Sequence, residues 1–347
     1  MKIITPSRER KLLSLSVVLL FLWIAALDVS LFSSFLQETQ DQKIYHNVAV
    51  SAISIAVTVQ DRKGRFINDL LEEDFQIYEN NEEKEITYFS HNFDAPLSLT
   101  ILLDVSGSMA LQDKLRESKE ALKYLMNFLL DRQDEVSLLI FADGEVEVAV
   151  KFSNNKNDVL AVLEKTEAYG QTALNDAVAV SPEFANRGGN EKRALLLITD
   201  GIENDSQYSP EQAIEIARRV DIPIYTIGYK IPLSEQYLKK YKRSPELTSS
   251  GIIDSLERFS SATGGKAFFI NQAEEMDDAL RRITREIGHQ YILGYTSYKS
   301  PESEYRKIKV ITSKKKYRVR TREGYYSGEK KDSLTGAANS EQRLKIR

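Results

Sequence analysis

Three short polar segments contain the residues whose types and spacing could do chemistry. Asp104, Ser106 and Ser108 occur in the segment DVSGSM, Thr172 occurs in GQTAL, and Asp200 occurs in TDG. The first and third segments follow apolar runs typical of buried strands, and Thr172 precedes a predicted helix. Their three hydroxyls and two carboxylates are oxygen ligands, which hard divalent cations prefer. If these segments meet in the fold, they can form a metal site without nitrogen or sulfur ligands.

The composition excludes several other kinds of site. The chain of 347 residues has no cysteine, and its three histidines, His46, His91 and His289, lie far apart in the sequence. Disulfides, thiolate catalysis and cysteine-ligated zinc are therefore excluded, and a histidine metal site is not expected. Neither Ser106 nor Ser108 lies in the G-x-S-x-G segment of a nucleophilic serine, and no histidine is placed to activate one. We therefore expect a protein that is not an enzyme.

The charge balance argues against nucleic acid as a partner. The chain has 47 Lys and Arg residues against 51 Asp and Glu residues, which gives a net charge of -4. A nucleic-acid-binding domain normally carries a concentrated basic surface, so we expect no DNA or RNA partner. Near the end of the chain, Arg318, Arg320 and Arg322 alternate with other residues, which is typical of a strand with one solvated face.

The predicted elements decide whether the polar segments can meet. From Leu97 to Gly288, short apolar runs alternate with segments of helical periodicity, which favours a mostly parallel sheet with helices on both faces. The predicted strands are Leu97–Leu103, Glu135–Phe141, Glu145–Phe152, Ala194–Thr199, Ile222–Ile227 and Ala267–Ile270. Helices are predicted over Ile252–Ala262 and Glu274–Ile287, after a long surface loop at Lys230–Ser250. The fold class is therefore α/β with a doubly wound sheet, in which ligands bind at the carboxyl ends of the strands.

Segments rich in β-structure flank this α/β domain, which is predicted to cover residues 96–288. Alternating apolar residues in Ile53–Val59 predict a strand with one buried face, within a small β-rich module over residues 47–95. Further strands are predicted within residues 289–327, and a polar tail is predicted at 328–347. The late strands would pack with the early module, so the flanking β-rich module is formed from segments before and after the α/β domain.

The first 40 residues predict a targeting segment. Four basic residues within the first eleven positions precede the apolar run Leu12–Leu27, and a weaker apolar stretch continues to Leu36. This pattern predicts either a retained membrane anchor or a secretory signal that is removed, and both remain open. Because the positive flank comes first, the rest of the chain is expected outside the cytoplasm. We therefore expect a single-pass cell-membrane protein with a periplasmic or extracellular main domain, with secretion after signal cleavage as the alternative.

The polar segments also resemble a known family. The order DxSxS, then a threonine before a helix, then TDG, is similar to the metal-ion-dependent adhesion site of the von Willebrand factor type A (VWA) family. The resemblance covers about residues 96–288 and implies the Rossmann-like fold of that family. It implies that Ser106 and Ser108 are direct hydroxyl ligands and that Thr172 is a ligand in one state. It also implies that Asp104 and Asp200 act wholly or partly through water.

The flanking segments resemble a bacterial subgroup of exported VWA-related proteins. The resemblance rests on VQDRKGRFINDLLEEDFQIYENNE before the domain and on QYILGY and REGYY after it. The resemblance of the three polar segments to the adhesion site implies metal-dependent protein binding or adhesion, in which Mg²⁺ is the expected ion and Mn²⁺ or Ca²⁺ are alternatives. A partner protein would supply an Asp or Glu carboxylate, and a rim of four residues would add specificity: Asp143, Glu203, Asn204 and Asp205. The alternatives are an envelope assembly scaffold or maturation factor, and a metal-dependent hydrolase.

Overall fold

The structure is a computed structural model that describes residues 50–231, 248–300, 302–314, 316–328 and 344–346. The predicted targeting segment at residues 1–40 lies outside the described residues, as does most of the predicted loop Lys230–Ser250. Within the described part of the chain, every helix is too short or too polar to cross a membrane.

A seven-stranded sheet forms the centre of the α/β part, with the strand order β10-β9-β8-β5-β6-β7-β15. Its strands are β5 (Leu97–Asp104), β6 (Glu135–Ala142), β7 (Glu145–Ser153), β8 (Lys192–Thr199), β9 (Ile224–Tyr229), β10 (Ala267–Ile270) and β15 (Leu344–Ile346). All neighbours in this sheet are parallel except β6 and β7, which are antiparallel. The next strand in the chain, β6, lies on one side of β5, and β8 lies on the other side. The strand order therefore reverses at β5.

Helices cover both faces of this sheet. They are α1 (Lys114–Tyr124), α2 (Lys156–Lys165), α3 (Leu174–Ala185), α4 (Pro210–Ala217), α5 (Ser249–Thr263) and α6 (Ala273–Gly288). Successive side chains of β5 point to opposite faces of the sheet and enter two different hydrophobic cores. Ile101 packs with α1, α2 and α6, whereas Leu102 packs with α3, α4 and α5. The predicted fold class, a doubly wound and mostly parallel α/β sheet, is confirmed.

The flanking β-rich part consists of two four-stranded antiparallel sheets. One has the order β13-β1-β11-β4 and the other has the order β14-β12-β2-β3. Their strands are β1 (Val50–Gln60), β2 (Phe75–Glu79), β3 (Glu82–Lys84), β4 (Tyr88–Ser90), β11 (Gln290–Tyr298), β12 (Glu304–Thr312), β13 (Arg318–Arg320) and β14 (Gly324–Ser327). The inner faces of both sheets share one core, in which Ile55 and Tyr291 from the first sheet pack with Ile77 and Val310 from the second. Strands from before and after the α/β part thus combine in each sheet of one sandwich.

Two features of the late segment differ from the sequence-based expectation. The prediction of a solvated arginine face is wrong for Arg322, whose side chain is only 7% exposed and lies 3.3 Å from the Asp221 carboxylate. Arg320 likewise forms an ion pair with the buried Glu286 of α6. Within the predicted polar tail, the short strand β15 pairs with β7 at the edge of the central sheet.

Candidate functional site

The candidate site lies at the carboxyl ends of β5 and β8, which are adjacent parallel strands. Asp104 is the last residue of β5 and Thr199 is the last residue of β8, and the pairing of Leu103 with Ile198 brings these ends together. Because the strand order reverses at β5, these ends form a topological switch point, where open α/β sheets bind their ligands. The structure therefore brings the DVSGSM and TDG segments to one place.

Hydrogen bonds from two sides hold the carboxylate of Asp104. The backbone amide of Ser106 donates to Asp104 Oδ1 at 2.9 Å, and the hydroxyl of Thr199 donates to Oδ2 at 2.6 Å. The side chain is fully buried. Burial and the nearby negative charge of Asp200 raise the pKa of Asp104 to about 7. The ionised form of Asp104 is therefore disfavoured in this environment, and a bound cation would favour it.

The two serine hydroxyls lie beside one another. Ser106 Oγ and Ser108 Oγ are 3.1 Å apart, and the side chains of both residues are buried. The loop that carries them is fixed to the loop before Thr172, because the amide of Gly107 donates to the carbonyl of Gly170 at 3.0 Å. The hydroxyl pair and the Asp104 carboxylate thus belong to one short, well-anchored turn.

Asp200 is paired with a buried lysine that sequence reasoning missed. Lys114 Nζ donates to Asp200 Oδ2 at 2.6 Å, and the side chains are 1% and 0% exposed. The amide of Ile202 donates to the other carboxylate oxygen, Oδ1, at 3.1 Å. Only one weak signal distinguishes Lys114. It is the first residue of α1, and a lysine is unusual there because the helix dipole disfavours a positive charge at that end.

Hydrogen bonds of the Thr172 backbone also tie this residue to the loop that follows Asp200. The amide of Thr172 donates to the side-chain oxygen of Asn204 at 2.8 Å, while the amides of Asn204 and Asp205 donate to the Thr172 carbonyl at 3.1 and 3.0 Å. The Thr172 side chain is buried. All three predicted loops are therefore physically joined, the first to the second through Gly107 and the second to the third through Asn204.

The residues predicted to form a rim make contacts that stabilise the loops. Asp143 accepts a hydrogen bond from the amide of Gln171 at 2.7 Å. Glu203 closes its own loop, because it accepts from the amides of Asp205 and Ser206 at 2.9 and 2.8 Å and from the Ser206 hydroxyl at 2.7 Å. Their role in contacting a partner stays a prediction.

The donor set fits a hard cation only if the hydroxyls take part. Among the described residues, no three histidine, aspartate or glutamate side chains are grouped so that they could hold a metal ion. The site combines two buried carboxylates, Asp104 and Asp200, with the hydroxyls of Ser106 and Ser108. Hydroxyl and carboxylate oxygens are suitable ligands for Mg²⁺, Mn²⁺ and Ca²⁺.

Fold and site together define an α/β domain with a polar cluster at its switch point. A family profile described as von Willebrand factor type A domain matches residues 98–282. This match covers more than half of the chain, and the protein therefore belongs to the von Willebrand factor type A domain family.

Individual relatives are distant. An uncharacterized protein of Borreliella burgdorferi is 24% identical over 212 residues, which cover 56% of this chain and 60% of that protein. A UPF0353 protein of Mycolicibacterium gilvum is 22% identical over 214 residues, which cover 57% of this chain and 62% of that protein. The chain thus spans less than two thirds of the length of these curated relatives.

Solved structures with similar folds include two bacterial proteins. The conserved hypothetical protein BatB from Bacteroides thetaiotaomicron is 19% identical with a TM-score of 0.43, over 55% of this chain and 98% of that chain. The vWF domain of the type V pili tip protein Mfa5 from Porphyromonas gingivalis is 10% identical with a TM-score of 0.43, over 56% of this chain and 95% of that chain.

Proposed function

We propose that this protein binds other proteins through a divalent cation held at the carboxyl end of its central sheet. Domains of the VWA family commonly mediate protein–protein interaction or adhesion. The observation that supports the finer proposal is the burial of Asp104 and Asp200 together, beside the paired hydroxyls of Ser106 and Ser108.

The residues present have distinct proposed roles. Ser106, Ser108 and Thr172 would provide neutral hydroxyl oxygens for Mg²⁺, with Mn²⁺ or Ca²⁺ as alternatives. Asp104 and Asp200 would provide negative charge, directly or through water. When bound, the cation would supply an electron-poor position that attracts an Asp or Glu carboxylate of a partner protein. The rim residues of the joined loops would then contact the surroundings of that carboxylate.

The contacts of the described histidines argue against a histidine-based hydrolase. His289 packs against the rings of Phe66 and Phe93 with centroids 4.7 and 6.0 Å apart, and His91 packs against Phe89 at 5.4 Å. Both therefore belong to aromatic packing around the β-rich part. A hydrolase at the switch point would need a general base beside the attacked water. We propose a binding protein that is not an enzyme.

We also propose that the N-terminal segment displays this domain outside the cytoplasmic membrane. The basic flank and apolar run within residues 1–40 support an anchor, and secretion after cleavage is the alternative. An envelope assembly scaffold would use the same binding surface during maturation rather than at a cell contact. Identification of the partner would distinguish these two uses.

Metal binding is tested by calorimetric titration of the full-length protein with Mg²⁺, Mn²⁺ and Ca²⁺ after treatment with EDTA. We expect saturable binding by the wild type and at least a roughly tenfold weaker affinity for Asp104→Ala and for Ser106→Ala. Asp254→Ala is the matched control, because this acidic side chain on α5 is 67% exposed. Equal affinities for the wild type and Asp104→Ala would exclude the proposed site.

Partner recognition is tested with an immobilised library of peptides that contain Asp or Glu, each beside its Asn or Gln counterpart. We expect the full-length protein to bind a subset of acidic peptides, to release them in EDTA and to ignore the amide counterparts. Binding that persists in EDTA, or that does not distinguish acid from amide, would show that the partner is not recognised through a carboxylate on the cation.

A further inference from the structure

Lys114 is a buried charge whose position requires explanation. Its side chain is 1% exposed, and lysine is almost never fully buried unless it is paired. It also begins α1, where the positive end of the helix dipole opposes an ammonium group. The preceding residues Gln112 and Asp113 both have positive φ, at 56° and 58°, which non-glycine residues adopt only where the surroundings hold them. The fold thus holds the Lys114 ammonium group at a position that both burial and the helix dipole disfavour.

The contact that compensates for this placement is the ion pair with Asp200. The two side chains meet at 2.6 Å in a part of the fold where both are shielded from water. Electrostatic interactions are strong there, because the effective dielectric constant is low and salt screens little. Asp104 lies close enough for the charge of Asp200 to act on it. The ionisable groups at the switch point are therefore two carboxyl groups and one ammonium, which carry a single net negative charge when both carboxyl groups are ionised.

We propose that Lys114 is an internal counter-ion that sets the net charge of this site. Without bound metal, Lys114 neutralises Asp200 and allows two carboxylates to be buried together. With a divalent cation, which the proposed function requires, the buried charges would sum to one positive charge rather than to zero. Such a site attracts one external carboxylate. Lys114 therefore weakens cation binding and strengthens the binding of an anionic partner group.

A neutral side chain at position 114 has opposite effects on the two ligands. In Lys114→Met the site has two uncompensated carboxylates, so we expect Mn²⁺ to bind about tenfold more tightly. The loaded site of this variant is neutral, so acetate, used as the carboxylate probe, should bind about tenfold more weakly. The fall in water-proton relaxation enhancement of the Mn²⁺-loaded protein measures acetate binding, because acetate replaces a water on the ion.

The coupling of Lys114 to Asp200 without bound metal is tested by a double-mutant cycle in EDTA with full-length protein. Lys114→Met should lower the urea midpoint of unfolding, and adding Asp200→Asn should recover part of that loss, because the unpaired carboxylate is gone. If Lys114→Met does not fold, Lys114→Gln is a second neutral variant that keeps a donor for Asp200. Additive losses in the cycle would overturn the counter-ion role.

Lys192 offers a matched control at the opposite end of β8. Its side chain is also buried, and its Nζ donates to the carbonyls of Phe93 and Gly288 at 2.9 Å each. Lys192→Met should lower stability without changing Mn²⁺ or acetate affinity. If Lys114→Met also leaves the Mn²⁺ and acetate affinities unchanged, Lys114 does not set the charge of the site and contributes only to packing. If the wild type binds no Mn²⁺, the proposed function fails, whereas the cycle in EDTA still decides whether Lys114 and Asp200 are coupled.

Discussion

The hydroxyl of Thr199 donates to Asp104 Oδ2 at 2.6 Å and connects the ends of β8 and β5. The same hydroxyl oxygen accepts from the amide of Gly201 at 2.9 Å. Asp104, Thr199 and Gly201 are all buried. Thr199 thereby fixes the orientation of the Asp104 carboxylate and the turn that presents Asp200, so it positions both acidic residues without being one of the proposed ligands.

Replacing Thr199 with valine keeps the shape of the side chain but removes this hydroxyl. We expect Thr199→Val to lose about 1–3 kcal/mol of unfolding free energy, because a buried carboxylate oxygen and a buried amide lose their partner. Mn²⁺ affinity should fall as well, since Asp104 is no longer held. Thr199→Ser keeps the hydroxyl and should retain most of the affinity. Urea denaturation and calorimetry measure both effects, and equal behaviour of the two variants would contradict the positioning role.

Gly201 follows Asp200 in a backbone conformation with φ of +74°. An added Cβ would lie 2.3 Å from Ile252 Cγ2 of α5. We expect Gly201→Ala to cost about 1–2 kcal/mol for the left-handed conformation and a further 1–3 kcal/mol or so for the overpacking. Gly64→Ala is the control, because Gly64 has a φ of +78° with nothing within 4 Å of the added atom. Denaturation midpoints that fall equally in both variants would show that the contact with Ile252 is harmless.

Asn204 holds the Thr172 loop through its side-chain oxygen. Asn204→Ala removes the acceptor for the Thr172 amide, and a hydrogen bond of this kind contributes about 0.5–1.5 kcal/mol. We expect the Thr172 amide to exchange with solvent deuterium up to about tenfold faster in this variant. Asn204→Asp keeps the acceptor oxygen and should preserve most of the protection. Unchanged exchange in Asn204→Ala would mean that the backbone bonds alone hold the loop.

The strands of the central sheet could be predicted because buried parallel strands need continuous apolar runs. The predicted strand Ala267–Ile270 coincides with β10, and the predicted strand Leu97–Leu103 is only one residue shorter than β5. The helix α2 was missed for a different reason. Its apolar residues form one continuous run, Val159–Leu163, and periodicity alone cannot assign such a short run to a helix or a strand.

The ion pairs could not be predicted because their partners are distant in the sequence. Lys114 pairs with Asp200, and Arg322 lies against Asp221, across separations that local periodicity does not encode. Lys114 and Arg322 each lie in a sequence segment rich in charged residues, which is more common on a protein surface. The predicted ligand loops were easier to identify, because each polar segment directly follows or precedes a regular element. Motif order and element position thus indicated the candidate residues, whereas the charges that balance them required the tertiary structure.

Glu79 is the buried acceptor at the centre of the β-rich part. Its carboxylate accepts from the hydroxyls of Tyr295, Ser297 and Tyr325 at 2.8, 2.7 and 2.8 Å, and Arg306 lies 3.4 Å away. Burial alone would raise the pKa of Glu79, but the hydrogen bonds and the positive charge of Arg306 outweigh it and hold the pKa below its ordinary value. The ionised form is therefore the one that the folded state stabilises.

This direction fixes how the stability contributed by Glu79 depends on pH. Since the folded pKa is lower than the unfolded one, the contribution is complete above the ordinary glutamate pKa of about 4.3 and is lost as pH falls through the folded value. Glu79→Gln should therefore reduce the unfolding free energy by about 1–3 kcal/mol at pH 7, and by less at pH 3. Urea denaturation at both pH values measures this difference. Glu82→Gln, at a side chain that is 77% exposed, should have little effect at either pH. A loss in Glu79→Gln that stays constant between the two pH values would mean that packing, rather than the ionised carboxylate, stabilises the sandwich.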